Sequence, residues 1–175
     1  MAFETIKTDL LVIGGGVAGL RAAVAAAEKG VSVLLVSKGG CASPEIMGLN
    51  APILPEDSAE LYFEDTERSG YGINDSRLAK ILSERVLDEV KWLEDHGICF
   101  VRDENGQYAP IHTLGTKYPR LIRSGVSSGA AEMSMLGKLA REKAVRIDSP
   151  VDILGLISLE GRVAGTWGLR HGEMV

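Results

Sequence analysis

Glycines at positions 14, 16 and 19 follow the short apolar run Leu10-Leu11-Val12-Ile13 and satisfy the pattern G-x-G-x-x-G. Each spacing has its own physical use. Gly14 permits a sharp turn out of a strand, Gly16 lets the backbone come close to a pyrophosphate, and Gly19 lets the following helix pack tightly on the strand. The residues from Val17 onward are rich in alanine, so the turn opens a helix. The first N–H groups of a helix lack partners within it and carry partial positive charge, which suits a phosphate. Strand, glycine turn and helix together predict dinucleotide binding, against the alternative of a tight packing turn with no ligand. Gly15 lies outside the strict spacing and reads as conformational.

An acidic residue that grips a ribose hydroxyl is expected ~20 residues further on, at the end of a second strand. The chain has Ser37-Lys38 there. Ser37 can accept from a ribose hydroxyl, and Lys38 cannot. Lys38 can instead meet a phosphate, which keeps NADP open. Other chemistry is sparse. The histidines are His96 at a helix end, His112 in an irregular segment and His171 in a turn. Cys41 and Cys99 form no CxxC and predict no disulfide framework. No His, Cys or carboxylate cluster has metal spacing, so the expected metal count is none.

These residues need elements to hold them. Leu10–Ile13 and Val31–Val36 read as buried parallel strands joined by a helix over Val17–Lys29 that Gly30 stops, a βαβ unit. A glycine-spaced loop covers Ser37–Pro55, and a helix capped by Asp57 or Ser58 runs to Arg68. Asp75 caps a longer helix to His96, closed by Gly97, with Leu78, Ile81, Leu82, Val86, Val90 and Leu93 as its inward stripe. Trp92, beside that stripe, reads as packing. Ile98–Val101 and Tyr108–Ile111 flank the hairpin turn Asn105-Gly106. Residues Pro110–Ser124 read as irregular, and a helix follows over Ser128–Lys143. Val145–Asp148 is expected as another buried parallel strand. Val151–Leu159 and Arg162–Leu169 form an antiparallel ribbon through Glu160-Gly161, and a further strand starts after His171-Gly172. The fold class is therefore α/β, a parallel sheet with an antiparallel ribbon, and the reading is of a fold that breaks off at its C-terminus.

Composition removes several partners. The chain has 175 residues, 19 basic and 24 acidic, for a net charge of −5, the wrong sign for a nucleic-acid binder. Its longest nearly apolar stretch, Leu10–Leu20, falls short of the ~20 residues that cross a bilayer. The N-terminus lacks the layout of a secretion signal. These features predict a cytoplasmic protein. The 21 glycines exceed the usual share of ~7% without a collagen period, as expected where backbone must approach a ligand.

The segment Asp9–Lys38, with Met47-Gly-Leu-Asn-Ala51, Asp57-Ser58, Glu64-Asp-Thr66, Trp92-Leu93…Gly97…Phe100 and Arg120…Ser128-Gly129, resembles the succinate dehydrogenase/fumarate reductase flavoprotein family, which includes L-aspartate oxidases. The resemblance covers nearly the whole chain, residues 1–175 reading as the N-terminal portion of a Rossmann-like FAD-binding domain. It implies FAD with its pyrophosphate at Gly14, Gly16, Val17, Ala18 and Gly19, and its adenosine ribose near Ser37 and Lys38. It implies isoalloxazine contacts from Gly39, Gly40, Ser43, Gly48, Leu49 and Asn50, and an adenine facing the backbone of Val151. For Ser43 and Asn50 the competing reading is turn chemistry.

Departures from the family pattern carry meaning. Met47 replaces the usual first loop glycine, and Val126 stands where Asp is frequent. Thr116-Lys117-Tyr118 replaces the His-Ser-His of aspartate oxidases, against that activity. Some members attach FAD covalently through a histidine after Ser-Lys. Cys41-Ala-Ser-Pro-Glu45 has none, so FAD is expected to be non-covalent, with Cys41 a small loop residue in place of an attachment point. The family's catalytic segment, capping domain and helical domain have no counterpart here, so catalytic residues are unknown. The resemblance implies hydride transfer between flavin and a dicarboxylate in the complete enzyme, with the remainder of the flavoprotein or a partner subunit, peripheral to the inner membrane. The competing reading is a non-catalytic flavin-carrying or scaffold protein within a larger complex.

Overall fold

Runs of branched apolar residues build the sheet of the computed structural model, which describes residues 5–125 and 127–175. The expectation placed on Val126 lies outside the described residues. In chain order the elements are β1 (Leu10–Ile13), α1 (Val17–Ala27), β2 (Val33–Val36), β3 (Leu49–Asn50), α2 (Ala59–Ser69), α3 (Ser76–Asp95), β4 (Leu121–Ile122), α4 (Ser128–Glu142), β5 (Arg146–Asp148), β6 (Asp152–Leu159), β7 (Arg162–Arg170) and β8 (Glu173–Met174). They fall into two compact units, Met1–Ser43 with Met133–Val175, and Pro44–Glu132.

In the first unit, β1, β2 and β5 make a parallel sheet in the order β1-β2-β5, with Leu10 opposite Val33 and Val36 opposite Asp148. The central strand β2 is buried at every position. The outer strands are not: Leu10 and Ile13 of β1 are 37% and 50% exposed, and Ile147 of β5 is 39% exposed. The expectation of fully covered strands therefore holds for β2 alone, because β1 and β5 have a neighbour on one side. Leu20, Ala23 and Val24 of α1 are buried, and Leu34, Val36 and Val151 form an apolar cluster against Ile6, Leu11, Ile153 and Val175. β6, β7 and β8 form the expected ribbon, turning at Glu160 and Gly161 with φ of +50° and +75°. A second turn at His171 and Gly172 leads into β8.

In the second unit, Ser58 Oγ accepts the N–H of Leu61 at 3.2 Å and caps α2, which leaves the Asp57 carboxylate for another task. Asp75 caps α3 through the N–H groups of Arg77 and Leu78. The stripe that α3 buries is Ala79, Ser83, Val86, Val90 and Leu93. Leu78, Ile81 and Leu82, expected to face inward, are 64%, 50% and 47% exposed. The buried line follows the 4-3-4-3 spacing of one helix face, and small Ala79 and Ser83 allow the close approach that leucines do not.

The Asn105-Gly106 turn forms, with Gly106 at φ +78°, and its flanks meet at a bridge between Arg102 and Tyr108 and through the N–H groups of Asp103 and Ala109, which donate to Gln107 O at 2.8 Å and Val101 O at 3.1 Å. The N–H of Val101 donates to Arg123 O at 2.9 Å, so the ladder continues into another segment. β3 and β4, both inside segments read as irregular, pair antiparallel with Leu49 opposite Ile122 and Asn50 opposite Leu121.

Candidate functional site

The first unit holds the glycine turn. Gly14 has φ +114°, a conformation that favours glycine, and a side chain there would meet open space. A Cβ on Gly19 would lie 1.9 Å from Gly14 O, so α1 packs against the turn at a distance that excludes any side chain. A Cβ on Gly15 would meet Ser37 Oγ at 2.8 Å, a packing role that matches its conformational reading. Gly16 is the N-cap of α1, and Ser43 Oγ reaches across to accept the N–H of Val17 at 3.1 Å. A Cβ on Gly16 would come within 2.9 Å of that same Oγ and 4.0 Å of Cys41 Sγ. Ser43, read from the resemblance as an isoalloxazine contact, thus stands at the N-terminus of α1. Ala18 is exposed at the helix start and Val17 is half-buried.

A cleft of about 590 Å³ opens beside this turn, lined by Gly14, Ser37, Lys38, Val151, Asp152 and Ile153 among others. Three of the nucleotide-side residues named from sequence therefore share one wall with Gly14. Ser37 is fixed by its backbone, donating to Asp148 O at 3.0 Å and accepting from Val151 N–H at 2.8 Å. Its Oγ accepts the N–H of Gly39 at 3.1 Å. Lys38 Nζ lies 3.6 Å from Asp152 Oδ1, with both side chains more than half exposed. Such exposed pairs contribute ~0–1 kcal/mol, so Lys38 is free to leave Asp152 for a phosphate. Gly39 and Gly40 both have positive φ, +89° and +56°, and turn the chain out of β2.

The second unit carries the segment 46–50. A Cβ on Gly48 would lie 2.3 Å from Ile122 O, so this glycine is required by its packing on β4. Leu49 and Asn50 are half-buried in β3, and Asn50 Oδ1 is a buried acceptor with no partner. Met47 is 62% exposed, and its carbonyl accepts from Ser128 Oγ at 2.8 Å. The N–H of Gly129 donates to Ile46 O at 2.9 Å, so α4 holds this segment through two bonds.

Sequence reasoning did not foresee the most heavily buried charge cluster. Arg120 has a fully buried side chain that binds Asp57 with Nε and Nη2 at 2.6 and 2.7 Å, and Asp65 with Nη1 at 2.6 Å. Its guanidinium lies 4.9 Å from the centre of the Tyr62 ring. Asp65 also accepts from Arg68 and from the N–H of Lys117. Burial works against the Arg120 charge, but the hydrogen bonds and charges of Asp57 and Asp65 outweigh it and raise its pKa. Burial likewise opposes the Asp65 charge, and the Lys117 amide, Arg68 and Arg120 overcome it and lower that pKa. The family motifs containing Asp57, Asp65 and Arg120 were visible; their meeting point was not.

Glu132 of α4 was also missed. It is 6% exposed, Oε1 has no partner, and burial raises its pKa. Two of the three histidines bind locally. His96 Nδ1 lies 2.7 Å from Trp92 O, with its ring stacked on Trp92, as expected at a helix end. His112 Nε2 lies 2.7 Å from Thr116 O within its own turn. No group of three or more His, Cys, Asp or Glu residues among the described residues could hold a metal ion.

The residues present fit FAD: in the first unit, a β1–α1 turn where a side chain at Gly19 would overlap backbone, with a cleft at its side, and, in the second unit taken by itself, an orphaned buried acceptor on the segment expected to face the flavin. Comparison with known proteins agrees. A family model described as FAD binding domain matches residues 9–174. A fumarate reductase (CoM/CoB) of Methanothermobacter marburgensis has one chain that is 34% identical over 177 residues, 97% of this chain and 32% of that protein. An L-aspartate oxidase of Pyrococcus horikoshii is 30% identical over 168 residues, 94% of this chain and 34% of that protein. A flavocytochrome c3 fumarate reductase in its open conformation superposes with a TM-score of 0.82 at 30% identity, covering 92% of this chain and 30% of that one. The Sdh1 complex of Mycobacterium smegmatis in its apo form gives a TM-score of 0.84 at 29% identity, with the same coverage of 92% and 30%. The chain spans about a third of the length of the curated relatives it matches. It belongs to the FAD binding domain family, among the succinate dehydrogenase/fumarate reductase flavoproteins.

Proposed function

We propose that this chain is the FAD-binding part of a flavoprotein oxidoreductase whose complete form moves hydride between flavin N5 and a dicarboxylate. The observation that carries the reading is the Gly14–Gly19 contact, 1.9 Å from an added Cβ to a backbone oxygen, beside the cleft of Ser37, Lys38 and Val151. The amides of Gly16, Val17 and Ala18 at the start of α1 would bind the pyrophosphate. Ser37 would accept from the adenosine ribose, Lys38 would steady a phosphate, and the Val151 backbone would face adenine. Gly39, Gly40, Gly48, Leu49 and Asn50 would line the isoalloxazine, with Ser43 holding the Val17 amide until phosphate competes for it. FAD supplies the hydride chemistry; these residues supply orientation and electrostatics.

The reading includes non-covalent attachment, since Cys41 lies beside the phosphate turn and no histidine follows Lys38 in that loop. It treats both compact units as one FAD-binding domain. It includes a dicarboxylate substrate and a further flavoprotein portion or partner protein, supported by the fumarate reductase relatives. Among the described residues no helix is long and apolar enough to cross a membrane. A cytoplasmic location, at the membrane through partner subunits, belongs to the same reading. Purified chain should show the absorption bands of oxidised flavin, and acid precipitation should release all of the flavin. Failure of FAD to bind on titration of repeatedly purified chain overturns the reading.

A further inference from the structure

Within the second unit, Arg120 holds the segment 46–50 from two directions. Its carbonyl accepts the N–H of Ala51, the residue after Asn50, at 3.0 Å. The next two residues along the chain pair with the segment itself, Leu121 opposite Asn50 and Ile122 opposite Leu49. Its guanidinium forks onto Asp57, a few residues beyond Ala51, and reaches Asp65 in α2. Between these two points short bonds draw the chain in: Ile53 N–H donates to Ala51 O at 2.9 Å and Asp57 N–H to Leu54 O at 3.0 Å. One side chain and its own carbonyl thus close the loop 51–57 and fix the exit of the segment. Ser128 and Gly129 fix its entry through Met47 O and Ile46 O. Ala51 and Arg120 are both 0% exposed, so the bond between them is shielded from water.

An apolar residue could fill the space of this side chain, and such replacements of buried ion pairs are often neutral or stabilising. What an apolar residue lacks is direction. A planar fork on a carboxylate sets an orientation as well as a distance. We propose that Arg120 is a positioning residue for the flavin, its two-point hold setting the place of β3 and the backbone that segment 46–50 offers the isoalloxazine. That this segment faces flavin rests on the FAD reading above; the hold on the segment does not.

Two measurements on the 175-residue chain test this: amide hydrogen exchange by NMR without FAD, and FAD titration with visible circular dichroism of the bound flavin. Arg120→Lys keeps a charge and loses the fork. Arg120→Met combined with Asp57→Asn and Asp65→Asn removes the fork without leaving Asp57 as an uncompensated buried charge, and it carries the test if the lysine variant fails to fold. Leu93→Ala is the control, since it lowers stability from α3 in the same unit and leaves all three charges in place. In both Arg120 variants the Ala51 amide should speed up about tenfold more than that of Val90 in α3, because the opening is local. Both should bind FAD about tenfold more weakly, with an altered dichroism band, the equivalent of ~1.4 kcal/mol for one hydrogen bond. Leu93→Ala should keep the wild-type band, bind FAD within about threefold of wild type, and speed Val90 at least as much as Ala51. Equal acceleration of Ala51 and Val90 in the Arg120 variants would mark a merely structural cluster and overturn the proposal. So would Arg120 variants with the FAD affinity and band of Leu93→Ala. If wild type binds no FAD while the Ala51 amide responds as expected, the FAD reading fails, and the flavin role of Arg120 falls with it.

Discussion

Arg120 takes a permanent positive charge out of water, and only two carboxylates make that tolerable. Its guanidinium forks onto Asp57 with both carboxylate oxygens and spends a third nitrogen on Asp65. Replacing it with methionine takes the guanidinium from the Asp57 and Asp65 carboxylates, which are 0% and 4% exposed, and leaves Asp65 with Arg68 and the Lys117 N–H. Breaking a buried pair by removing one partner costs ~3–5 kcal/mol. Arg120→Met should lose that much in urea unfolding, and Arg120→Lys should lose most of it, since an ammonium cannot reproduce the planar fork. A loss below about 1 kcal/mol would mean that water enters the cluster and the charges are not buried. Glu132 acts in the opposite pH direction. Its folded pKa is raised, so its contribution to stability is fully present below the unfolded value of ~4.3 and is lost as pH rises through the folded value. Glu132→Gln has no such loss. Urea midpoints measured from acid to neutral pH should show the variant gaining on wild type as pH rises. A gap that stays level across the series would show an unperturbed carboxyl.

Helix α3 separates what a helix's own sequence reveals from what its neighbours decide. Leu93 is 7% exposed and Leu82 is 47% exposed, although both sit in the apolar pattern of α3. Leu93→Ala should therefore cost ~2–5 kcal/mol, as buried leucines do. Leu82→Gln should stay within ~0.5 kcal/mol of wild type. Equal losses would place Leu82 in a core that the fold does not show. The caps Ser58 and Asp75 and the glycine turn were legible because they depend on residues near each other in sequence. Ala79 and Ser83 were not legible as core, because small residues carry little apolar signal and gain burial only from what packs on them. β3 and β4 are two residues each, too short to show any periodicity, and they exist through pairing between distant parts of the chain. The Arg120 cluster has the same cause: its hydrogen bonds span 63 and 55 residues, and no local pattern announces them. The residues expected at the site divide along this line. Gly14, Gly19, Ser37 and Val151 lie about one βαβ unit and its flanking strand, whereas a long loop carries Ser43 to the α1 terminus.

At the scale of the molecule, the net charge of −5 opposes any anionic dinucleotide, so the proposed site relies on local attraction, from the α1 terminus and Lys38. A ligand bound only by the folded state raises global stability by RT ln(1 + [L]/Kd), ~2.7 kcal/mol at a hundredfold excess over Kd. FAD at that excess should raise the unfolding free energy of the wild-type chain by this amount. Gly19→Ala places a methyl 1.9 Å from Gly14 O, a backbone atom that cannot swing aside. Relieving the overlap must move α1 away from the turn, at a cost of ~1–3 kcal/mol typical of overpacking. On the proposed function the same displacement would spoil the phosphate cradle, so Gly19→Ala should be less stable and gain nothing from FAD. Leu82→Gln, exposed on α3 in the other compact unit, should show the full FAD-dependent gain. If Gly19→Ala retained the whole gain, the energy of FAD binding would come from somewhere other than the β1–α1 turn.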